Sequence, residues 1–538
     1  MKAEKLILGN IITLDPRFPV LKALTVKDGQ IQYVGSAEIA RALCDENTLV
    51  MDYGDNYIYP GFIEAHCHGS MAGIRLAYFA DLTEGQSMQD YVNLMKAFVE
   101  SHPENAFYYG AGWLVRDAEP TAQMLDAICP DKPMALNSID GHSIWFNTAG
   151  MEKFGITRAA AEEWGTDIIR LDADGKPSGY ISEGPVIDIT RKMSDVGPEL
   201  FKKALLIWQD FALSKGITAY YEAGITEKAL KYYSELIKEG KWKIRVYAGY
   251  MMDEHAEDYP AVVRRARELA DLYNCEYLQI TGVKIFMDGV VEAHTAWLDE
   301  PYKDRAGYYG VKRFCDFDRV VELYKEAEKC GLNVHQHTIG DGAVRFALDC
   351  MEKAQIETGN MHMRNALCHL QVMRKEDIKR LCDLNAVAVV APLWMARQDG
   401  YYEQSVEFIG EKRTFYGYPL RSFINHNGII AFHSDYPVST AMSFERSIYM
   451  ACERNIPGSD DSYQWNANEC IDREEALSGI TAGAAYSVKQ ENHLGTLRIG
   501  YAANMCVYDK NFLKAGLKEI ADAKLLSTII DGEECYRA

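Results

Sequence analysis

The chain has 538 residues, and its 57 lysines and arginines are outnumbered by 78 aspartates and glutamates, which gives a formal net charge of −21. Hydrophobic residues make up 48% and charged residues 25%, a composition typical of a folded protein and not of a disordered chain. The acidic balance argues against a nucleic-acid or anionic-membrane partner, because phosphate binding needs clustered lysine and arginine.

The cysteines and the apolar runs indicate the cellular location of the protein. Thirteen cysteines are scattered without a C-x-x-C pair, which argues against a disulfide framework and predicts a reducing, cytoplasmic location. The start of the chain carries early charges at Lys2, Glu4 and Lys5 and is typical of a strand, not of a signal peptide. The longest apolar runs, such as 386–396, are far shorter than the roughly 18–20 residues of a membrane span, so we expect no membrane partner.

Both ends of the chain predict β-structure. Short alternations of apolar and polar residues, separated by glycine and aspartate turns, occupy residues 1–57 and return over 486–538. Chain ends commonly lie close together in a domain. We therefore predict one small β-sandwich domain built from both termini.

Residues 58–485 alternate strand-like and helix-like segments, with helical patterns at 317–331 and 374–385 among them. Eight strands with helical crossovers predict an α/β fold, a (β/α)8 TIM barrel. The predicted strands are 61–68, 216–224, 243–250, 282–289, 332–340, 365–370, 386–394 and 428–437.

A long segment separates the first two predicted strands. It has about 150 residues, far more than a crossover needs. We predict an insertion at about 70–210 that forms a lid or subdomain over the barrel mouth.

His66 and His68 form an H-x-H pair in the first predicted strand. Residues i and i+2 of a strand face the same side, so both imidazoles can reach one metal ion while Cys67 points away. Thirteen histidines predict roughly 0.3 such pairs by chance, so the pair alone fits a hydrogen-bonded structural couple equally well.

Four later strands also carry a ligand-type residue at or near their carboxyl ends. These are Lys284, His337, His369 and Asp435. Barrel enzymes place their chemistry at this end of the strands. Independent structural residues would not be expected to choose the same end each time.

The chain resembles the amidohydrolase superfamily, and specifically its family 3 (YtcJ-like) branch. The resemblance runs from about residue 4 to about 532, and the order and spacing of its motifs carry it. The motifs are PGFIEAHCH (60–68), DGHSIWFN (140–147), GITAYYEAG (216–224), GVKIFMDG (282–289), HTIGDGAV (337–344), ALCHL (366–370), HSDYPVS (433–439) and GTLRIGYAANMCVYD (495–509).

This resemblance implies a metal centre on the carboxyl-terminal face of the barrel. The ligands it implies are His66, His68, Lys284, His337, His369 and Asp435. Imidazoles and carboxylates suit a divalent metal, most readily Zn²⁺. Lys284 matches a lysine that is carboxylated in many members of the family. A carbamate there would bridge two metal ions, so the centre would hold two ions and not one. Asp435 would accept a proton from the metal-activated water and pass it to the leaving nitrogen.

Several of these assignments have alternatives. Lys284 could pair with Asp288, without a carbamate, and leave a single metal. His335 could replace His337 as the ligand or support it. Asp341 could orient a ligand histidine or cap the next helix, and His433 fits a structural role.

Four residues are candidate substrate contacts. The insertion contributes Trp113 and His142, the loop after the fourth predicted strand contributes His294, and Trp394 follows the seventh. Ordinary packing is the alternative for the aromatic residues.

The predicted function is hydrolysis of a non-peptide C–N bond (amide, N-acyl or N-formyl) in a small-molecule substrate by metal-activated hydroxide. A deaminase or another hydrolase on the same centre is one alternative, since one fold and metal site serve many substrates. A non-catalytic regulatory or binding protein is the other. Homodimers are common for such enzymes.

Overall fold

The computed structural model describes residues 2–18, 20–139, 143–166, 168–182, 185–398, 400–439 and 441–538. The chain forms two compact units. The barrel unit comprises the residues up to Gly69 together with Gln209–Ala538, and the insertion unit comprises Ser70–Trp208. Across the described ranges, the helices are too short or too polar to span a bilayer.

The strands and helices are numbered in chain order. The strands are β1 (Lys5–Ile12), β2 (Val20–Lys27), β3 (Gln30–Gly35), β4 (Leu49–Pro60), β5 (Phe62–Cys67), β6 (Phe79–Asp81), β7 (Tyr108–Trp113), β8 (Met134–Ser138), β9 (Ser143–Phe146), β10 (Ile169–Leu171), β11 (Pro177–Ser182), β12 (Ile217–Ile225), β13 (Arg245–Met251), β14 (Leu278–Phe286), β15 (Asn333–Thr338), β16 (Ala366–His369), β17 (Val387–Val390), β18 (Ile429–Phe432), β19 (Met505–Tyr508), β20 (Leu525–Ile530) and β21 (Glu533–Arg537). The α-helices are α1 (Ala37–Ala42), α2 (Gly69–Tyr78), α3 (Met88–Ser101), α4 (Ala122–Asp126), α5 (Thr148–Phe154), α6 (Arg158–Trp164), α7 (Val186–Ser194), α8 (Pro198–Leu213), α9 (Glu227–Lys238), α10 (Tyr259–Tyr273), α11 (Phe317–Lys329), α12 (Asp341–Thr358), α13 (Lys375–Asp383), α14 (Tyr401–Ile409), α15 (Glu411–Phe415), α16 (Leu420–Asn425), α17 (Phe444–Glu453), α18 (Arg473–Gly479), α19 (Ala482–Ser487) and α20 (Leu517–Ala521). Short 3-10 helices span Pro392–Trp394, Asp461–Tyr463 and Ala467–Glu469.

An eight-stranded parallel sheet forms the barrel, with β5 and then β12 to β18 in chain order. Its two end strands meet just past their carboxyl ends. The backbone N–H of Asp435 donates to the carbonyl of His66 at 3.2 Å, and that of His68 donates to Tyr436 at 2.9 Å. The sheet is therefore a nearly closed barrel, and the predicted α/β barrel fold is confirmed.

Each predicted barrel strand overlaps an observed one, and three differ by more than two residues at an end. The eighth ends at Phe432, five residues before the predicted end at 437. The fourth begins at Leu278, four residues before the predicted start at 282. The seventh ends at Val390, where a strand to 394 was predicted, and a 3-10 helix follows. Pro392 has no backbone N–H and cannot continue a ladder of hydrogen bonds.

Burial explains why these short segments form strands. The sheet of a barrel is covered on both faces, so its strands are apolar runs such as Val387–Val390, which is buried throughout. Strand β15 is equally buried although it reads NVHQHT. Polar side chains in such a place need specific partners, which marks β15 as a strand with a function beyond packing.

A second sheet is built from both chain ends, as the sequence predicts. It has seven strands in the order β21-β20-β19-β4-β1-β2-β3. One group of buried side chains, including Ile7, Ile58 and Met505, forms its core, and a second group, with Leu6 and Ala40, packs at helix α1.

The insertion unit has its own six-stranded sheet, in the order β10-β11-β9-β8-β7-β6. Its core contains Trp113, Trp145 and Tyr180, and the two indole rings meet edge to face at 5.8 Å. The unit therefore has a hydrophobic core of its own.

Candidate metal centre

His66 and His68 lie at the carboxyl end of β5, and their imidazoles meet one carboxylate. The Nε2 atoms of His66 and His68 lie 3.2 and 3.4 Å from Oδ1 of Asp435. The register of β5 against β12 shifts between Glu64 and Cys67. This irregularity redirects the side chains at the strand end, which simple alternation does not describe.

Two other candidate ligands have left-handed backbone conformations. The φ angle is 79° at His369 and 58° at Asp435. Cys368 already belongs to the buried cluster inside the barrel, so a regular strand would turn its neighbour His369 outward. The left-handed turn instead brings the His369 imidazole to a centroid distance of 5.0 Å from that of His66. One ligand atom from each of His66, His369 and Asp435 lies within 4.8 Å of the other two.

The charge states of these groups suit metal binding. Burial lowers the pKa of His66, with a further contribution from Lys284, and burial also lowers the pKa of His369, so both rings are neutral. Burial opposes ionisation of Asp435, but the hydrogen bond with His68 and the nearby imidazoles outweigh it and hold the Asp435 pKa below its usual range. The site therefore offers neutral nitrogen donors beside a carboxylate.

His337 and His335 have different neighbours. Nδ1 of His337 lies 3.0 Å from Oδ1 of Asp288, and its ring lies 4.6 Å from the ring of His369. A carboxylate on one ring nitrogen leaves the other free to bind a metal. His335 lies deeper, with Nε2 2.7 Å from Nδ1 of His66 and 2.8 Å from Sγ of Cys368. The geometry favours His337 as the ligand and gives His335 another role.

Asp288, and not Asp341, contacts the ring of His337. It accepts hydrogen bonds from His337 and from the backbone N–H groups of Trp297, Ile339 and Gly340. Asp341 is the first residue of α12, after Gly340 at the N-cap, and it accepts from the N–H of Asp299 instead. The helix cap predicted for Asp341 is therefore wrong, because Gly340 is the N-cap residue.

Lys284 on β14 is fully buried. Burial lowers the pKa of its amine. Within the described part of the chain, Nζ has no hydrogen-bond partner. The pairing with Asp288 is absent because four donors already surround that carboxylate.

Two further buried residues, His433 and Glu64, lie beside the candidate ligands. His433 contacts the rings of His66, His369 and Trp394, and among the described residues neither of its ring nitrogens has a hydrogen-bond partner. Burial lowers its pKa to about 4. Glu64 accepts hydrogen bonds from the N–H groups of His66 and Ser434, which ties the first and last barrel strands together. Glu64 lies two residues before His66, and His433 lies two residues before Asp435. These positions were the signal in the sequence that both residues lie beside the candidate ligands.

The four predicted substrate contacts lie in different environments. Trp394 stacks on His369 at 5.5 Å and donates from Nε1 to Ser439 at 2.8 Å. His294 is buried, with Nε2 2.7 Å from Asp304. Trp113 is fully buried in the insertion unit, and its indole N–H donates to the Leu136 carbonyl. His142 lies outside the described residues. A substrate contact stays a prediction for all four.

The residues fit a divalent metal ion. Buried polar atoms normally have hydrogen-bond partners. Here Lys284 Nζ, His369 Nδ1 and both His433 nitrogens lack one among the described residues, and they surround imidazole and carboxylate groups of the kind that bind Zn²⁺ and similar ions. The fold and the site thus define the class of metal-binding (β/α)8 barrels.

Comparison with known families makes the assignment specific. A model described as "Amidohydrolase family" matches residues 49–536. The chain belongs to the amidohydrolase family, as the sequence motifs predict.

Three named relatives align along nearly the whole chain. The Arabidopsis thaliana protein LONG AFTER FAR-RED 3 is 26% identical over 98% of this chain and 90% of its own length. The amidohydrolase-family protein YtcJ of Bacillus subtilis is 25% identical over 98% of each chain. The N-substituted formamide deformylase of Arthrobacter pascens is 23% identical over 99% of this chain and 98% of its own.

A solved structure has a similar fold. An uncharacterized metal-dependent hydrolase from Pyrococcus furiosus superposes with a TM-score of 0.78 and 25% sequence identity. The match covers 95% of this chain and 100% of that one. The similarity therefore includes both the barrel and the additional sheets.

Proposed function

We propose that this protein is a metal-dependent hydrolase that cleaves a non-peptide C–N bond, in an amide, an N-acyl or an N-formyl compound. The convergence of His66, His369 and Asp435, with ligand atoms within 4.8 Å of one another, is the observation that carries the proposal. Their places at the carboxyl ends of barrel strands match the location of active sites in this fold.

The proposed metal ligands are those named from the sequence. They are His66, His68, Lys284, His337, His369 and Asp435, and they would hold one or two divalent ions, most readily Zn²⁺. When bound, such an ion polarises a carbonyl oxygen and lowers the pKa of water towards 7.

Lys284 has a further role in a two-metal centre. Its amine would add to CO₂, forming an N–C bond and releasing a proton, and the carbamate would then present two oxygens. Full burial and an Nζ atom without a partner among the described residues support this, because an unmodified ammonium there would be costly.

Asp435 is the proposed proton carrier. Its pKa below the usual range keeps the carboxylate ionised and able to accept a proton from the attacking water. The same oxygen would then return the proton to the leaving nitrogen. An amide nitrogen is a poor leaving group until it is protonated, so a carrier at this position suits C–N cleavage. The formamide deformylase among the relatives supports an N-formyl or N-acyl substrate.

Trp394, Trp113, His142 and His294 are proposed to contact the substrate. The stacking of Trp394 on His369 is the best support among them. A cytoplasmic location is also proposed, since all thirteen cysteines carry free thiols.

The proposal is tested with purified protein and a panel of N-formyl amines, N-acyl amines, dipeptides, esters and amino-heterocycles. We expect hydrolysis of at least one N-formyl or N-acyl compound. Chelation should abolish the activity and Zn²⁺ should restore it. Full activity of the metal-free protein, or turnover confined to esters, dipeptides or heterocycles, would contradict the proposal.

A further inference from the structure

The two ring nitrogens of His66 face different neighbours. Nε2 lies 3.2 Å from Asp435 on the side of the proposed metal, and Nδ1 lies 2.7 Å from Nε2 of His335. We propose that His335 is a positioning residue: it accepts the Nδ1–H of His66 and so leaves the lone pair on His66 Nε2 for the metal. The inference rests on the proposed metal centre and extends it.

Counting protons fixes the direction of this hydrogen bond. A neutral imidazole has one N–H and one lone pair. If His66 binds a metal through Nε2, its proton is on Nδ1, and His335 Nε2 must then be the acceptor. The proton of His335 is in turn on its own Nδ1.

The surroundings of His335 hold it in this orientation. Its ring stacks on that of Tyr221, with centroids 4.1 Å apart and planes 17° apart. Sγ of Cys368 also lies 2.8 Å from Nε2 of His335. These contacts fix the His335 ring with Nε2 towards His66.

His337, another proposed ligand, has a different kind of neighbour at its Nδ1 atom. Nδ1 of His337 meets the carboxylate of Asp288, whereas Nδ1 of His66 meets a neutral imidazole. A carboxylate draws the ring proton more strongly and makes the other nitrogen a better donor. His66 is therefore the weaker donor of the two, and its orientation depends on one neutral neighbour.

A second metal site made of His66, His335 and Cys368 is the alternative, since their ligand atoms also lie within 4.8 Å of one another. Two ligands of one tetrahedral zinc ion lie roughly 3.3–3.6 Å apart, from the usual Zn–N and Zn–S lengths. The 2.7 Å between the ring nitrogens of His66 and His335 is a hydrogen-bond distance. Both observed separations, 2.7 and 2.8 Å, are shorter than those of two ligands on one zinc ion. The geometry favours positioning.

The test compares metal binding by four variants of the full-length protein, of which Cys368→Ser distinguishes a thiolate ligand. His335→Phe keeps a ring against Tyr221 but removes the acceptor, and His335→Gln restores an acceptor oxygen. Gln336→Met is the matched control, because Gln336 is the next residue of the same strand and bonds Tyr324 on the outer face at 2.6 Å. Zn²⁺ affinity is measured by competition with a chelator, the coordination by the absorption spectrum of the Co²⁺ form, and the fold by circular dichroism.

We expect His335→Phe to lower metal affinity by about 10- to 100-fold with an unchanged number of bound ions. His335→Gln should recover most of the affinity, and Gln336→Met should change only thermal stability. Wild-type affinity in His335→Phe would overturn the inference. Loss of a whole metal ion in His335→Phe would also overturn it. If the Co²⁺ form of the wild type then shows a cobalt–thiolate absorption that disappears in Cys368→Ser, His335 and Cys368 are metal ligands. Absence of metal from the wild type would overturn the proposed function as well, whereas unchanged affinity in the variant would overturn only the positioning role.

Discussion

Asp435 and His369 hold side chains at the site through backbone conformations that residues other than glycine seldom adopt. Their φ angles of 58° and 79° each cost about 1–3 kcal/mol in a typical protein. The surrounding hydrogen bonds hold them, including the bond from the N–H of Asp435 to the carbonyl of His66. Strained backbone conformations are concentrated at functional sites, which agrees with the proposed roles of Asp435 and His369.

Asp435→Asn should keep the fold and lose turnover. The amide keeps the size of the side chain and can still contact His66 and His68, but it cannot carry a proton. We expect kcat to fall by roughly 10³-fold or more, with an unchanged circular dichroism spectrum and at least one metal ion retained. Activity is measured on a substrate from the panel, and metal by elemental analysis. An active Asp435→Asn enzyme would remove Asp435 from the mechanism.

Residue types alone could predict much of this site. The ligand-type residues at five strand ends could be found because imidazole, lysine and carboxylate are rare in buried apolar strands. The contact between His66 and His335 could not, since it joins residues 269 positions apart. The choice of Asp288 over Asp341 likewise depends on how the loop after β14 folds back.

At the scale of elements, the positions of the strands could be predicted from the sequence. The direction in which the side chains at the strand ends point could not. Apolar runs bounded by glycine and polar turns located all eight barrel strands. Alternation then fails at three strand ends, through the irregularity in β5 and the left-handed residues His369 and Asp435. Each of these depends on hydrogen bonds between strands, which a local pattern does not contain.

The end of β1 provides an element-scale test. Asp15 follows β1 and accepts hydrogen bonds from Arg17, while Arg498 of the returning segment lies 2.8 Å from its carboxylate. The bond with Arg17 is the largest cause that lowers the pKa of Asp15 to about 2. A carboxyl group whose pKa is lower in the folded state stabilises the fold above its unfolded pKa of 3.8 and loses that contribution as the pH falls towards about 2.

Asp15→Asn should therefore lower the free energy of unfolding at pH 7 by up to about 1 kcal/mol. The difference from the wild type should shrink between about pH 4 and pH 2. Urea unfolding at a series of pH values measures it, with the exposed Asp55→Asn as the control. An equal loss of stability at pH 7 and pH 2 would show that the ion pairs are not its source.

At the scale of the whole molecule, residues from most of the chain form one site. The candidate ligands extend from His66 to Asp435, and the terminal segments close a separate seven-stranded sheet. Length alone is compatible with three or four separate domains. The order of the motifs instead indicates one barrel, interrupted by the insertion after its first strand. One fold and metal site serve many substrates, so the barrel motifs do not specify the substrate.

An anomalous-scattering map from crystals of the protein as purified, recorded on both sides of the zinc absorption edge, tests the metal centre directly. We expect one or two peaks within bonding distance of His66, His68, His369 and Asp435, with Lys284 carrying a carbamate if there are two. Crystals of active protein without a metal peak at these residues, or with the metal bound elsewhere, would contradict the proposed metal centre.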